Sequence, residues 1–165
     1  MVQVKIKLNG GIMPKKATEG AAAYDLYAPE DVEITERRQV INLRFSMELP
    51  EGYAATIQPR SGFSAKGIEV EEQITMLGTV ESNVVRYDGD VKLGLIDEDY
   101  RGEVGVIIRF SQSNILPSMF KYVIKKGTRI AQMRIVEAPK IELVEVEELS
   151  DTERGKGGFG STGTK

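Results

Sequence analysis

From Val2 onward the chain alternates, with Val2, Val4, Ile6 and Leu8 apolar and Gln3, Lys5 and Lys7 polar between them. A period of two marks a strand with one buried face. Further runs predict strands at 32–35, 39–49, 53–58, 104–110, 121–124, 129–137 and 140–149. The run VGVIIRF (104–110) is nearly continuous in β-branched residues and predicts a central, buried strand. Asn9-Gly10-Gly11, Pro50-Glu51-Gly52 and Asp88-Gly89 supply turn signals between runs. One short helix is predicted in PRSGFSAKGI (59–68), with Ser61 as cap, Gly62 to Lys66 helical and Gly67 at a left-handed exit. Many short strands with such punctuation predict an all-β protein, a sandwich, jelly roll or barrel.

After Leu149 the pattern stops. DTERGKGGFGSTGTK has one aromatic residue and no periodicity, so 150–165 is read as an arm attached to a β core at 1–149. Glycine loses more freedom on ordering than any other residue. The arm is therefore either a slack tail or a segment that something bound draws into order. There is no internal repeat.

A length of 165 residues suits one domain with a sizeable core. Lys plus Arg number 22 against 25 Asp plus Glu, a net charge of −3. That balance argues against a dedicated nucleic-acid surface, which would be basic. A few local cations can still hold a phosphate-bearing small molecule. No apolar run approaches the ~20 residues of a membrane span, and the N-terminal stretch lacks the apolar block of a secretory signal. A cytoplasmic location without a membrane partner is the expectation. The chain has no Cys and no His. Thiolate nucleophiles, zinc-thiolate sites and imidazole bases are thereby excluded. Proton transfer falls to carboxylate, Lys, Tyr or water, and any metal is a hard cation held by oxygen, Mg²⁺ foremost.

Five stretches carry candidate chemistry. In Gln58-Pro59-Arg60-Ser61-Gly62, a hydroxyl, free N–H groups and a guanidinium can meet one anion, or the stretch is a surface turn. Gly94 to Gly102, GLIDEDYRG, joins two strand-like runs and reads as a hairpin tip. Asp97, after the apolar Leu95 and Ile96, is either a base facing a cleft or part of a solvated acidic turn. Tyr100 packs on a ligand or in the core. Asp25, in AAAYDL (21–26), either orients an Arg or a metal-bound water or is a turn aspartate. Arg129 and Gln132 are polar positions in an inward-looking strand and need partners, from ligand or protein. In the arm, Arg154, Lys156, Ser161 and Thr162 offer cations and hydroxyls, and Phe159 can stack on a flat ring. No Gly-Lys-Ser/Thr closes that stretch, so it is not a Walker loop.

In this order the five stretches resemble the five motifs of the trimeric dUTP diphosphatases, the dUTPases. AAAYDL is similar to the first, PRSG to the second, GLIDEDYRGEVGV to the third, KKGTRIAQM to the fourth and DTERGKGGFGSTG to the fifth. The resemblance implies a jelly-roll-like subunit and a homotrimer with active sites at subunit interfaces. It implies hydrolysis of dUTP to dUMP and pyrophosphate with Mg²⁺, which limits uracil in DNA and supplies dUMP for dTTP synthesis. Asp97 would activate the water that attacks the α-phosphorus. Arg60, Ser61, Gly62 and Gln132 would hold phosphates, and Asp25 would act on the metal's water shell and on Arg60. Tyr100 would pack on the deoxyribose, and backbone over Val91, Gly94 and Ile96 would read the uracil edge. From a neighbouring subunit, Arg154, Ser161 and Thr162 would clamp the terminal phosphate and Phe159 would cover the uracil.

Departures from the family pattern are also visible. Ala23 stands where the first motif usually has Gly, Thr128 where the fourth usually has Asp, and Val91 where some members place Asn. The span 71–93 is much longer than the family's usual connection. QITMLGTV and VVRYDGDVKL predict a hairpin there, an inserted β-arm turning at Glu81-Ser82-Asn83, open to a protein partner. Residues 111–120 are also long for the family and are expected to cap one end of the sandwich. Two other readings are a dCTP deaminase-related enzyme and a regulatory protein on the same scaffold that uses 71–93.

Overall fold

The computed structural model describes residues 2–35, 37–111 and 120–157. Its elements in chain order are β1 (Lys5–Leu8), β2 (Tyr24–Tyr27), β3 (Val32–Glu33), β4 (Gln39–Glu48), β5 (Tyr53–Gln58) and α1 (Ser61–Lys66). They continue as β6 (Ile68–Met76), β7 (Thr79–Tyr87), β8 (Gly89–Val91), β9 (Gly94–Ile96), β10 (Glu103–Phe110), β11 (Phe120–Ile124) and β12 (Arg129–Glu137). The strands form three four-stranded sheets, ordered β1-β4-β10-β8, β3-β11-β6-β7 and β2-β12-β5-β9. Strand pairing in them is antiparallel, giving the jelly-roll-like all-β fold.

Alternation decides which faces meet. On β4, Ile41, Leu43, Phe45 and Met47 are buried, and on β10 so are Val104, Val106, Ile108 and Phe110. The third sheet adds Ile57, Ile130, Ala131 and Met133 to the same core. Helix α1 is fastened by Phe63, whose ring stacks on Phe110 at 6.5 Å between centroids. Truncating such a buried aromatic costs about 3–5 kcal/mol, enough to release a helix of this length. Gly67 leaves the helix at φ 72, and a Cβ there would lie 2.6 Å from the Tyr87 carbonyl oxygen. The base of β7 therefore packs directly against the helix exit.

Several expectations need correction. Ser61 does not cap the helix but is its first residue, because Arg60 holds the N-cap position in extended backbone without a side-chain cap bond. The β6–β7 hairpin turns at Leu77-Gly78, with φ 49 and 83, rather than at Glu81-Ser82-Asn83. Two left-handed residues make a type I′ connection that matches strand twist. Pairing of Ile68 with Tyr87 and Val70 with Val85 at the buried base fixes this register. The segment 140–149 forms no strand among the described residues, and Ile141, Leu143, Val144, Val146 and Leu149 are exposed. On β1 the apolar face is only half covered, since Ile6 is partly buried and Leu8 is exposed. The proposed cap around 111–120 falls mostly outside the described residues.

The hairpin joins the body through the β6–β11 ladder, and a half-buried polar contact adds to it. The Tyr122 hydroxyl donates to Oε1 of Glu72 at 2.8 Å. Burial, and then the Glu72 carboxylate, push this phenol up to about 12.

Candidate functional site

Asp25 anchors the site. It sits in β2 opposite Gln132 of β12, and its N–H donates to the Lys15 carbonyl at 2.7 Å. Its carboxylate accepts from Arg60 Nε at 2.8 Å and from Arg129 Nη1 at 3.4 Å. At 7% exposure it is the one buried charged residue among those described. A buried carboxylate needs such partners, because desolvation would otherwise make its charge very costly. The turn-aspartate alternative is thus set aside, as is a ligand as the required partner of Arg129.

The fourth motif is placed by its backbone. Ala28 N–H donates to the Thr128 carbonyl at 2.9 Å, and Gly127 N–H donates to the Ala28 carbonyl at 2.8 Å. Asp31 accepts from the Lys126 N–H at 2.8 Å and from the Lys125 ammonium. Lys125 and then the Lys126 N–H hold the Asp31 carboxyl below its usual range. The side chain of Thr128 is not needed for this arrangement. Gln132 has a protein partner, with Nε2 donating to the Pro59 carbonyl at 3.0 Å. That bond ties β12 to the backbone entering α1.

Arg60 and Gly62 open onto a cleft of about 470 Å³. Lys66, Arg86 and Arg129 also line it, and Glu69 is its one acid. Its size is that of a small-molecule site. Lys66 and Arg86 were not among the sequence candidates. The available signal for Arg86 was its place between the apolar Val85 and Tyr87, which must face the core. A second cleft, about 440 Å³, lies beside β1 and is lined by Val4, Ile6, Met13, Tyr24, Met133 and Ile135. Its one cation, Lys16, lies 5.4 Å from the Tyr24 ring centroid. It has the lining of a packing surface rather than of an anion site.

The third motif lies elsewhere. It is not a hairpin tip, because β9 pairs with β5 and β10 pairs with β4 and β8. The connection instead crosses between two sheets. Ile96 is buried, but Leu95 is exposed, as is Asp97 beyond it. Glu98 holds the turn by accepting the Gly52 N–H at 2.5 Å. Tyr100 is 45% exposed and so is no core residue. Its hydroxyl donates to the Glu103 carbonyl at 3.0 Å and covers Gly102, where a Cβ would lie 2.4 Å from that oxygen. Val91 is a buried core residue of β8, which leaves backbone for recognition there.

Gly94, Asp97 and Tyr100 do not line the cationic cleft. A single chain therefore brings together Asp25, Arg60, Gly62 and Arg129, with Ser61 and Gln132 alongside, but not the third motif. Arg154 is engaged locally, its Nε donating to the Gly157 carbonyl at 2.9 Å. Phe159, Ser161 and Thr162 lie outside the described residues.

Among the described residues no cluster of three carboxylates could cage a cation. Both oxygens of Asp25 already accept from guanidinium groups. Such a donor set offers Mg²⁺ no cage built from protein alone, so the ion would be carried, hydrated, by bound phosphates.

The family model for dUTPase matches residues 9–85 and 75–163. The deoxyuridine 5′-triphosphate nucleotidohydrolase of Hydrogenobaculum sp. is 41% identical over 156 residues, covering 93% of this chain and 91% of that protein. The enzyme of the same name from Nautilia profundicola is 41% identical over 165 residues, covering 98% and 99%. Among solved structures, the Staphylococcus bacteriophage 80alpha dUTPase with dUPNHPP superposes with a TM-score of 0.75 at 28% identity, covering 98% of this chain and 99% of that one. Likeness of this extent, over nearly the whole chain, places it in the dUTPase family.

Proposed function

We propose that the protein hydrolyses dUTP to dUMP and pyrophosphate, and that it does so as a homotrimer with shared sites. One observation carries the reading. On a chain of net charge −3, four cationic side chains converge on one cleft beside Ser61 and Gly62. A polyphosphate is the ligand such a cleft suits.

In this reading Arg60, Ser61, Gly62 and Gln132 hold the phosphates, with Arg60 aimed by Asp25. Tyr100 packs on the deoxyribose, and backbone near Val91, Gly94 and Ile96 reads the uracil edge. Asp97 takes a proton from water as the water oxygen bonds to the α-phosphorus. The bond from that phosphorus to the bridging oxygen breaks, and pyrophosphate leaves. Mg²⁺ bound to the phosphates supplies charge neutralisation when the nucleotide is present. Arg154, Phe159, Ser161 and Thr162 close the site from a neighbouring subunit.

A site of this kind needs more than one chain, since Asp97 and Tyr100 lie away from the cationic cleft. The exposed apolar residues of 141–149 and the open apolar cleft beside β1 supply surface for assembly. No helix among the described residues is long and apolar enough to cross a membrane.

The test is pyrophosphate release from a panel of deoxynucleoside triphosphates, with and without Mg²⁺, alongside mass by light scattering. Selective release from dUTP by a trimer is expected. Ammonia released from dCTP would transfer the reading to a deaminase, and a fully active monomer would remove the shared sites.

A further inference from the structure

Arg86 enters the cleft from the hairpin, outside the five motifs. We propose that Arg86 is a phosphate-binding residue of the site, and that Glu69 occupies its guanidinium until the polyphosphate arrives. The inference rests on the dUTPase reading for the identity of the nucleotide, but not for the anion.

Register places the residue. Tyr87 is buried and Val85 partly so, and residues alternate across a strand. Arg86 must therefore project from the opposite face of β7, together with Glu69, its direct cross-strand neighbour. That face lines the cleft with Arg60, Gly62, Lys66 and Arg129. Depth is set by Gly67, where the helix exit touches the Tyr87 carbonyl with no room for a Cβ. The Arg86 Nη1 also donates to the Gly67 carbonyl at 3.3 Å. The guanidinium is thus held against the exit of the short helix whose first turn carries Gly62.

Charge gives the direction of binding. Four cations face the cleft against Glu69 within it and Asp25 behind it. Asp25 offsets Arg60 and Arg129 together, while Lys66 makes no ion pair among the described residues. Arg86 is satisfied by Glu69 alone among carboxylates, Nη2 to Oε1 at 2.5 Å. Both side chains of that pair are at least half exposed, and exposed pairs hold weakly in water. A phosphate presents two oxygens to the planar guanidinium fork and carries more charge than Glu69. Exchange of the carboxylate for phosphate follows. After cleavage the same contact serves the pyrophosphate product, whereas dUMP loses the distal phosphates.

The experiment uses the full-length enzyme and the variants R86A, R86K and E69Q, with thermal unfolding as the control for folding. R86A is expected to raise KM for dUTP and the inhibition constant for pyrophosphate about tenfold. Its kcat should change less than threefold, because the lost contact is made equally in ground and transition states. Inhibition by dUMP should not move. R86K recovers part of the loss, and E69Q tightens pyrophosphate about two- to threefold. Calorimetric binding of pyrophosphate alone reads the same contact even if dUTP proves not to be the substrate. A wild-type affinity for pyrophosphate in R86A overturns the proposal. So does an equal loss for pyrophosphate and dUMP, which marks a general distortion. E69Q that weakens pyrophosphate overturns the exchange with Glu69.

Discussion

Arg60 donates its Nε–H to the buried Oδ1 of Asp25 at 2.8 Å, so the aim of the second motif is set by the first. Arg129 takes the other oxygen. One carboxylate thereby fixes two guanidinium groups on neighbouring elements. Asp25→Asn keeps the shape and removes the charge. The variant is expected to lose about 1–3 kcal/mol of stability, the range for a buried group left badly paired, because both arginines remain partly in water. KM for dUTP should rise about tenfold as Arg60 loses its aim, since one charge-assisted bond is worth that much. Urea unfolding and steady-state kinetics check the two parts separately. Unaltered KM with lowered stability would confine Asp25 to a structural role.

Asp97 sits exposed on the crossing between β9 and β10, away from that ion-paired group. If it is the base, Asp97→Asn should lower kcat by roughly 10²–10⁴, the usual worth of a general base. KM should change much less, because the phosphates are held by other residues. Pyrophosphate release under single-turnover conditions separates this from slow product release. Near-wild-type chemistry would take the base role away from Asp97.

Much of this arrangement was legible in the sequence, and the failures share a cause. Strand β4 follows from alternation because it buries one face within its own chain, and β10 follows from its nearly continuous apolar run, which lies inside its sheet. Residues 140–149 alternate as well, yet they find no strand partner among the described residues. A local pattern says that a face will be covered, not by what. Likewise β9 and β10 look like one hairpin because they are adjacent in sequence. Pairing between Ile96 and Ala55, far apart in the chain, decides otherwise. The hairpin turn was misplaced because Glu81-Ser82-Asn83 has turn chemistry and Leu77 has none. Buried pairs at the other end of the ladder settle the register. For Arg86 the flanking Val85 and Tyr87 indicate which face it takes, but only the register sets Glu69 opposite it.

Tyr122 links β11 to the hairpin and gives it a pH signature. Its phenol is raised to about 12 by burial and by Glu72, from an ordinary value near 10. The fold thus favours the protonated form. That contribution is full below pH ~10, falls as pH rises from ~10 to ~12, and is gone above. Wild-type unfolding midpoints should drop across this window more steeply than those of Tyr122→Phe. At pH 8 the Phe variant should be the less stable of the two, because Glu72 loses its donor. Parallel curves for the two proteins would mean that the Tyr122–Glu72 contact carries no linkage.

Leu77 breaks a local rule at the hairpin tip. It is fully exposed, yet it holds φ 49 in the first position of a two-residue turn. A side chain with a Cβ pays about 1–2 kcal/mol in that region, and Asn pays less. Since Leu77 is fully exposed among the described residues, Leu77→Asn loses no contact there and should gain about 1 kcal/mol. For a chain of this size that raises the melting temperature by about 2–4 °C. Hydrolysis should stay within twofold, because the tip is at the opposite end of the strands from Gly67 and Arg86. A protein partner for the hairpin would account for retaining a costly apolar tip. In that case pull-down from the cognate lysate should recover a companion with the wild type and lose it with Leu77→Asn. A variant that melts lower would show instead that Leu77 is packed in the assembled protein, and the tip would then be an interface between subunits.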